Sequence, residues 1–162
     1  MWTGSHSPLH GSLPMMAGPF CSIPPQKDTC RQNHIRFFYG VPNSQNPSGI
    51  TYTEESRKES AGILEKTDSL YIEDDAYGEL NFSGRSLPSF REYIPEQTII
   101  TGSFSKILAP GMRLGWIVAP EAIMEQIVIA KQASDLHSNY LSQRIAVGYL
   151  SQGTIDHHIK KI

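Results

Sequence analysis

Three short apolar runs in this chain each stop in residues that a strand interior avoids, and that pattern narrows the possible folds more than any other feature. Phe37-Phe38-Tyr39-Gly40-Val41 ends at Pro42, Leu70-Tyr71-Ile72 runs into Glu73-Asp74-Asp75, and Thr98-Ile99-Ile100-Thr101 runs into Gly102-Ser103. Aromatic and β-branched runs of this length, bounded by turn residues, read as buried strands. After the first run, Asn43 to Gly49 is turn chemistry throughout. Thr53 before Glu54 and Glu55 then supplies an N-cap and two first-turn carboxylates for a helix reaching about Lys66. Leu114 to Ala119 predicts a fourth strand. Pro120 falls where the first turn of a helix tolerates it, and Ile123, Met124, Ile127 and Val128 form that helix's apolar stripe. A further helix is expected from about Asn139 to Leu150, with Leu141, Ile145 and Tyr149 on one face, stopped near Gly153. A polar helix begins near Thr154. Strands alternating with helices predict an α/β fold with a mostly parallel sheet, whose ligands bind beyond the carboxyl ends of the strands.

Composition excludes several classes of function. Among 162 residues, 14 basic side chains face 16 acidic ones for a formal charge of -2, so there is no electrostatic footprint for nucleic acid or an anionic membrane. No apolar stretch approaches the roughly 18 residues of a membrane span, and no secretory leader is visible, so a cytoplasmic protein is expected. Cys21 and Cys30 match no zinc-ligand spacing, and His137, His157 and His158 have helix-surface or capping explanations, so neither a metal site nor an essential disulfide is expected. Residues 1–33 are dense in Gly, Pro, Ser and His without a sustained period. They are expected to be irregular, with the ordered domain over 34–162.

The polar ends of the strands carry the chemistry. Gln45-Asn46-Pro47-Ser48-Gly49, Asp74-Asp75-Ala76-Tyr77 and Ser103-Phe104-Ser105-Lys106, with Arg113 shortly after, would converge at one edge of an α/β sheet. Together they offer hydroxyls and an arginine for an anion, a lysine nucleophile, a carboxylate, and an amide beside a phenol, a set suited to a phosphorylated aldehyde cofactor. Each residue alone has a plainer explanation. The serines could close a turn, Arg113 could be a solvated cation, Asn46 a turn residue before Pro47, Tyr77 an edge-strand aromatic and Asp75 a cap. Strand alternation sends Asp74 and Asp75 to opposite faces, so only one of them can meet a given ligand.

In order and spacing, QNPSG, EDDAYGEL and GSFSKILAPGMRLGW resemble the motifs of fold type I pyridoxal-phosphate (PLP) aminotransferases of class I/II, over about Ile35 to Ile162. The stretch Lys131-Gln132-Ala133-Ser134-Asp135-Leu136-His137 is similar to the subgroup containing 2-aminoadipate transaminases. The resemblance implies part of a three-layer α/β/α large domain, PLP as cofactor, and amino acid and 2-oxo acid as substrates. It implies Lys106 as the Schiff-base lysine that also carries the proton, and Asp74, at the family's spacing from Tyr77, as partner of the ring nitrogen. Tyr77 and Asn46 would donate to the cofactor's phenolic oxygen, and Ser103, Arg113 and Ser105 would bind its phosphate. A homodimer is also implied. The glycine-rich phosphate loop, the ring-stacking aromatic and the small domain of intact members are not visible, so weak PLP binding and exposed apolar strand surfaces are expected. Other readings of the same resemblance are a different PLP reaction such as decarboxylation or β-elimination, a non-catalytic remnant, or the effector-sensing domain of a transcription regulator.

Overall fold

Parallel pairing of the first three strands follows from the helix and turns that separate them, because parallel neighbours need a long crossover. The computed structural model describes residues 36–81 and 84–162. The irregular segment expected over 1–33, both cysteines and Ile35 lie outside the described residues. Strands β1 (Phe37–Gly40), β2 (Leu70–Asp74), β3 (Thr98–Ser103) and β4 (Gly115–Val118) form one sheet in the order β1-β2-β3-β4. β1 pairs β2 and β2 pairs β3 in parallel, whereas β4 runs antiparallel to β3. The α/β fold with a mostly parallel sheet is therefore as the strand pattern predicts.

Helix α1 (Glu54–Leu64) connects β1 to β2. Thr53 caps it, accepting from the Ser56 amide at 3.2 Å, and Lys58 pairs with Glu54 one turn earlier at 2.6 Å. The helix ends at Leu64, two residues before the expected Lys66. Its last carbonyl is taken instead by Thr67, whose hydroxyl donates to Leu64 O at 2.7 Å, and by the Gln97 amide at 3.2 Å. The buried stripe of α1 is Arg57, Ser60, Ala61 and Leu64.

Beyond β3 comes a one-turn helix, α2 (Phe104–Ile107), then a 3-10 turn (Pro110–Met112) leading into β4. β4 is shorter than expected at both ends. Arg113 adopts a left-handed conformation (φ 49°) and the Leu114 carbonyl turns to accept from the Phe104 amide at 3.0 Å. Helix α3 (Glu121–Ser134) begins one residue after Pro120, which is the cap rather than a first-turn residue. Helix α4 (Tyr140–Ser151) is capped by Asn139, which accepts from Ser142 N at 2.9 Å, and Gly153 (φ 63°) makes the left-handed turn into α5 (Thr154–Ile159).

Two clusters form the core. Ala61 and Leu64 of α1 meet Tyr71, Phe90 and Ile94, while Phe104 and Ile107 of α2 meet Ala146 of α4. Ala146 is the buried residue of α4, whereas Leu141, at 69%, is exposed, as are Ile145 and Tyr149 on its apolar face. Phe37, Tyr39, Trp116 and Val118 on the two outer strands are also exposed. Among the described residues no helix is long and apolar enough to cross a membrane.

Candidate functional site

Parallel pairing brings the carboxyl ends of β1, β2 and β3 to one edge of the sheet. Antiparallel β4 starts there, with Gly115 opposite Ser103, so Arg113 arrives at the same edge as Asp74 and Ser103. Lys106 follows on α2 and Tyr77 in the bend after β2. The two meet: Lys106 Nζ lies 5.7 Å from the centre of the Tyr77 ring. Lys106 itself is exposed, so its amine is open to a ligand.

The two aspartates have different partners. Tyr39 is paired with Ile72 in register, so it shares a face with Asp74 two residues on, and its hydroxyl donates to Asp74 Oδ2 in a very short contact. Although the Tyr39 side chain is 50% exposed, its hydroxyl is pushed up to about 12, first by loss of solvent and then by its bond to, and the charge of, Asp74. Asp75 lies past the end of β2. Its amide donates to Thr101 O at 2.8 Å and its carboxylate accepts from Asn43 Nδ2 at 2.7 Å.

Ser103 caps α2, its hydroxyl oxygen accepting from the Ser105 amide at 3.1 Å, which leaves the hydroxyl hydrogen free to donate. Ser105 is half-buried beside it. Arg113 is exposed and uses one nitrogen on Pro110 O at 3.3 Å, so among the described residues the rest of its donor fork is open. Asn46 stands exposed in the loop after β1, and among the described residues no hydrogen bond ties its amide to Tyr77 or Asp74. That loop is shaped by buried Gln45, whose side-chain oxygen accepts from the Ser48 amide at 3.0 Å. Tyr77 is not an edge-strand aromatic; it precedes the 3-10 turn Gly78–Leu80.

Residues beneath this edge were not singled out by sequence. Arg57 is fully buried, donating to Tyr52 O, Pro88 O and Pro42 O at 3.2, 3.0 and 3.1 Å and to Asn43 Oδ1 at 2.6 Å. Glu73, 1% exposed, accepts from the Ser89 hydroxyl at 2.6 Å and the Phe90 amide at 3.0 Å, with Arg57 4.0 Å away. Burial raises the Glu73 carboxyl more than these partners lower it.

The donor set fits a phosphorylated pyridine aldehyde. One arginine and two hydroxyls suit the phosphate, an open amine suits the aldehyde, and a braced carboxylate suits a ring cation. Among the described residues no group of three or more His, Cys, Asp or Glu could hold a metal ion.

The chain is similar to several known proteins. The sequence pattern of the family "aminotransferase class I and II" matches residues 31–161. An uncharacterized aminotransferase of Saccharolobus solfataricus is 43% identical over 129 residues, covering 79% of this chain and 32% of that protein. An uncharacterized helix-turn-helix-type transcriptional regulator of Bacillus subtilis is 36% identical over 125 residues, 76% of this chain and 26% of the regulator. The crystal structure of Pyrococcus horikoshii kynurenine aminotransferase, in complex with PMP, superposes with a TM-score of 0.75 at 38% identity over 78% of this chain and 31% of that one. That of the α-aminoadipate aminotransferase LysN from Thermus thermophilus, complexed with N-(5'-phosphopyridoxyl)-L-leucine, gives 0.73 at 35% identity over 77% of this chain and 33% of that one. The chain thus spans about a third or less of the length of each of these relatives.

Proposed function

The chain belongs to the aminotransferases of class I and II, and on that premise we propose that it serves PLP-dependent transfer of an amino group from an amino acid to a 2-oxo acid. The observation that carries this reading is the placement of Lys106 Nζ 5.7 Å from the Tyr77 ring, at the sheet edge where Asp74 and Arg113 also arrive. When bound, PLP supplies an electrophilic carbon for the amino nitrogen and a ring that draws electrons from the substrate's α-carbon. Lys106 Nζ would hold the cofactor at that electrophilic carbon and, once freed by the incoming amino group, would move the proton taken from the substrate's α-carbon. Asp74 would set its carboxylate against the ring nitrogen and favour its protonated form, while Tyr39 fixes the direction in which that carboxylate points. Tyr77 and Asn46 would donate to the phenolic oxygen. Ser103, Ser105 and the open fork of Arg113 would bind the phosphate. A cytoplasmic homodimer is part of the same reading.

A second reading has its own observation, the 36% identity to a helix-turn-helix-type regulator: the fold would sense an effector through PLP without turning over. One experiment addresses both. Purified protein is mixed with PLP, its visible spectrum is recorded before and after borohydride, and Lys106→Ala is the control. A reducible band lost in Lys106→Ala supports the covalent role, and its absence from the wild type overturns it. Where the band is present, conversion of amino donors to 2-oxo acids separates transamination from sensing, and product analysis separates it from decarboxylation or β-elimination.

A further inference from the structure

The loops after β1 and β2 are joined by a side chain with no degree of freedom left. The Asn43 carbonyl oxygen accepts from Arg57 at 2.6 Å and its NH2 group donates to Asp75 Oδ1 at 2.7 Å. Guanidinium has donors only and carboxylate has acceptors only, so the amide can point just one way. Arg57 cannot yield, because it is fully buried and also holds the Pro42, Tyr52 and Pro88 carbonyls. On the other side, the Asp75 carboxylate folds back over Gly78, where an added Cβ would collide with its Oδ1. Gly78 opens the 3-10 turn whose preceding residue is Tyr77. Asp75 is thus held by the loop that carries Asn46 and lies against Gly78, the residue after Tyr77.

We propose that Asn43 and Asp75 are a positioning pair, locking the loop after β1 to the loop after β2 so that Asn46 and Tyr77 are presented together to the ligand at Lys106. Among the described residues neither member of the pair has a hydrogen bond or ion pair to Lys106, so neither is a catalytic residue. The consequence for the cofactor rests on the function proposed above; the lock between the loops does not.

The test is an exchange of partners. Asn43→Asp keeps the acceptor for Arg57 but sets a carboxylate against Asp75, whereas Asn43→Asp with Asp75→Asn restores one donor facing one acceptor. Backbone hydrogen exchange, read without cofactor, should speed up by about tenfold or more in both 42–50 and 75–80 in Asn43→Asp, as expected for losing a hydrogen bond to a charged group. The double variant should return both segments to near the wild-type rate. Response of only one segment, or no recovery in the double variant, overturns the proposal. Should Asn43→Asp fail to fold, the double variant alone decides: wild-type exchange supports the lock, and failure to fold overturns it. PLP affinity is measured on the same proteins, with weakening in Asn43→Asp and recovery in the double variant expected. A wild type without a Lys106-dependent band would defeat the proposed function while the exchange result still judges the pair.

Discussion

The Tyr39 hydroxyl donates to Asp74 Oδ2 across neighbouring strands, so the carboxylate at the end of β2 is braced from β1. Tyr39 is pushed up to about 12 from an ordinary 10.0, by burial first and by Asp74 second. Below pH 10 the phenol is protonated folded and unfolded, and it adds no pH dependence. Between 10 and 12 the unfolded tyrosine ionises while the folded one does not, so stability is lost as pH rises through that window. Phenolate absorbance, read as the difference between wild type and Tyr39→Phe, should show Tyr39 titrating near 12. Asp74→Asn should lower that midpoint but leave it above 10.0, because burial persists. A midpoint unmoved by Asp74→Asn would mean the contact does not form in solution.

Glu73 gives a pH dependence with its own window. Its carboxyl is raised above 4.5 by burial, against the lowering effects of Ser89, the Phe90 amide and Arg57. Arg57 sits at 4.0 Å without a hydrogen bond to it, which is why the ion pair loses to desolvation. The folded chain therefore holds this proton more tightly than the unfolded chain, and stability falls as pH rises from about 4.5 through the folded value. Urea midpoints measured from about pH 4 to 7 should decline less steeply in Glu73→Gln than in the wild type. Parallel profiles would show that Glu73 is not the group responsible.

Tyr71 packs its ring on Phe90 at 4.2 Å and buries a hydroxyl that has no partner among the described residues. Burying an unpaired hydroxyl costs about 1–3 kcal/mol, so removing it while keeping the ring should not weaken the fold. Tyr71→Phe is expected to raise the stability by up to about 1 kcal/mol in urea unfolding. The same change should relieve Gly40→Ala, since an added Cβ there would collide with the Tyr71 oxygen. A loss of stability in Tyr71→Phe would reveal a hydrogen bond at that oxygen.

How much of this could be read from sequence depended on whether burial followed hydrophobicity. The strands could be read, because Leu70-Tyr71-Ile72 and Thr98-Ile99-Ile100 are apolar and stop in polar residues, and so could the cap Thr53. Gathering Asp74, Tyr77 and Lys106 at one edge followed from parallel pairing, and Arg113 joins them through antiparallel β4. Arg57 did not show, although it lies in a helical stripe with Ser60, Ala61 and Leu64, because an arginine in that stripe looks like a solvated residue. Helix α4 is the opposite case: Leu141, Ile145 and Tyr149 share an apolar face that stays exposed, while Ala146 is what packs with Phe104 and Ile107. From sequence Tyr39 reads only as a strand aromatic, and its partnership with Asp74 needs the register of β1 against β2.

Arg57 should be the least replaceable side chain in this half of the molecule. It holds three backbone carbonyls and the Asn43 amide, stands beside buried Glu73, and is itself fully buried, so its removal takes a donor from four acceptors at once. Taking one partner from a buried charged network costs about 3–5 kcal/mol, against a total stability of roughly 5–15 kcal/mol for a domain. Arg57→Met, which keeps much of the volume, is therefore expected to lower the urea midpoint by an amount equivalent to about 3 kcal/mol or more with an unchanged slope. Arg57→Lys keeps the charge but loses the planar fork that reaches Pro42 and Pro88 from different nitrogens, so its midpoint should fall between those of wild type and Arg57→Met. If Arg57→Lys matched the wild type, charge alone would suffice. The fork geometry would then not be what holds the loop after β1 in place.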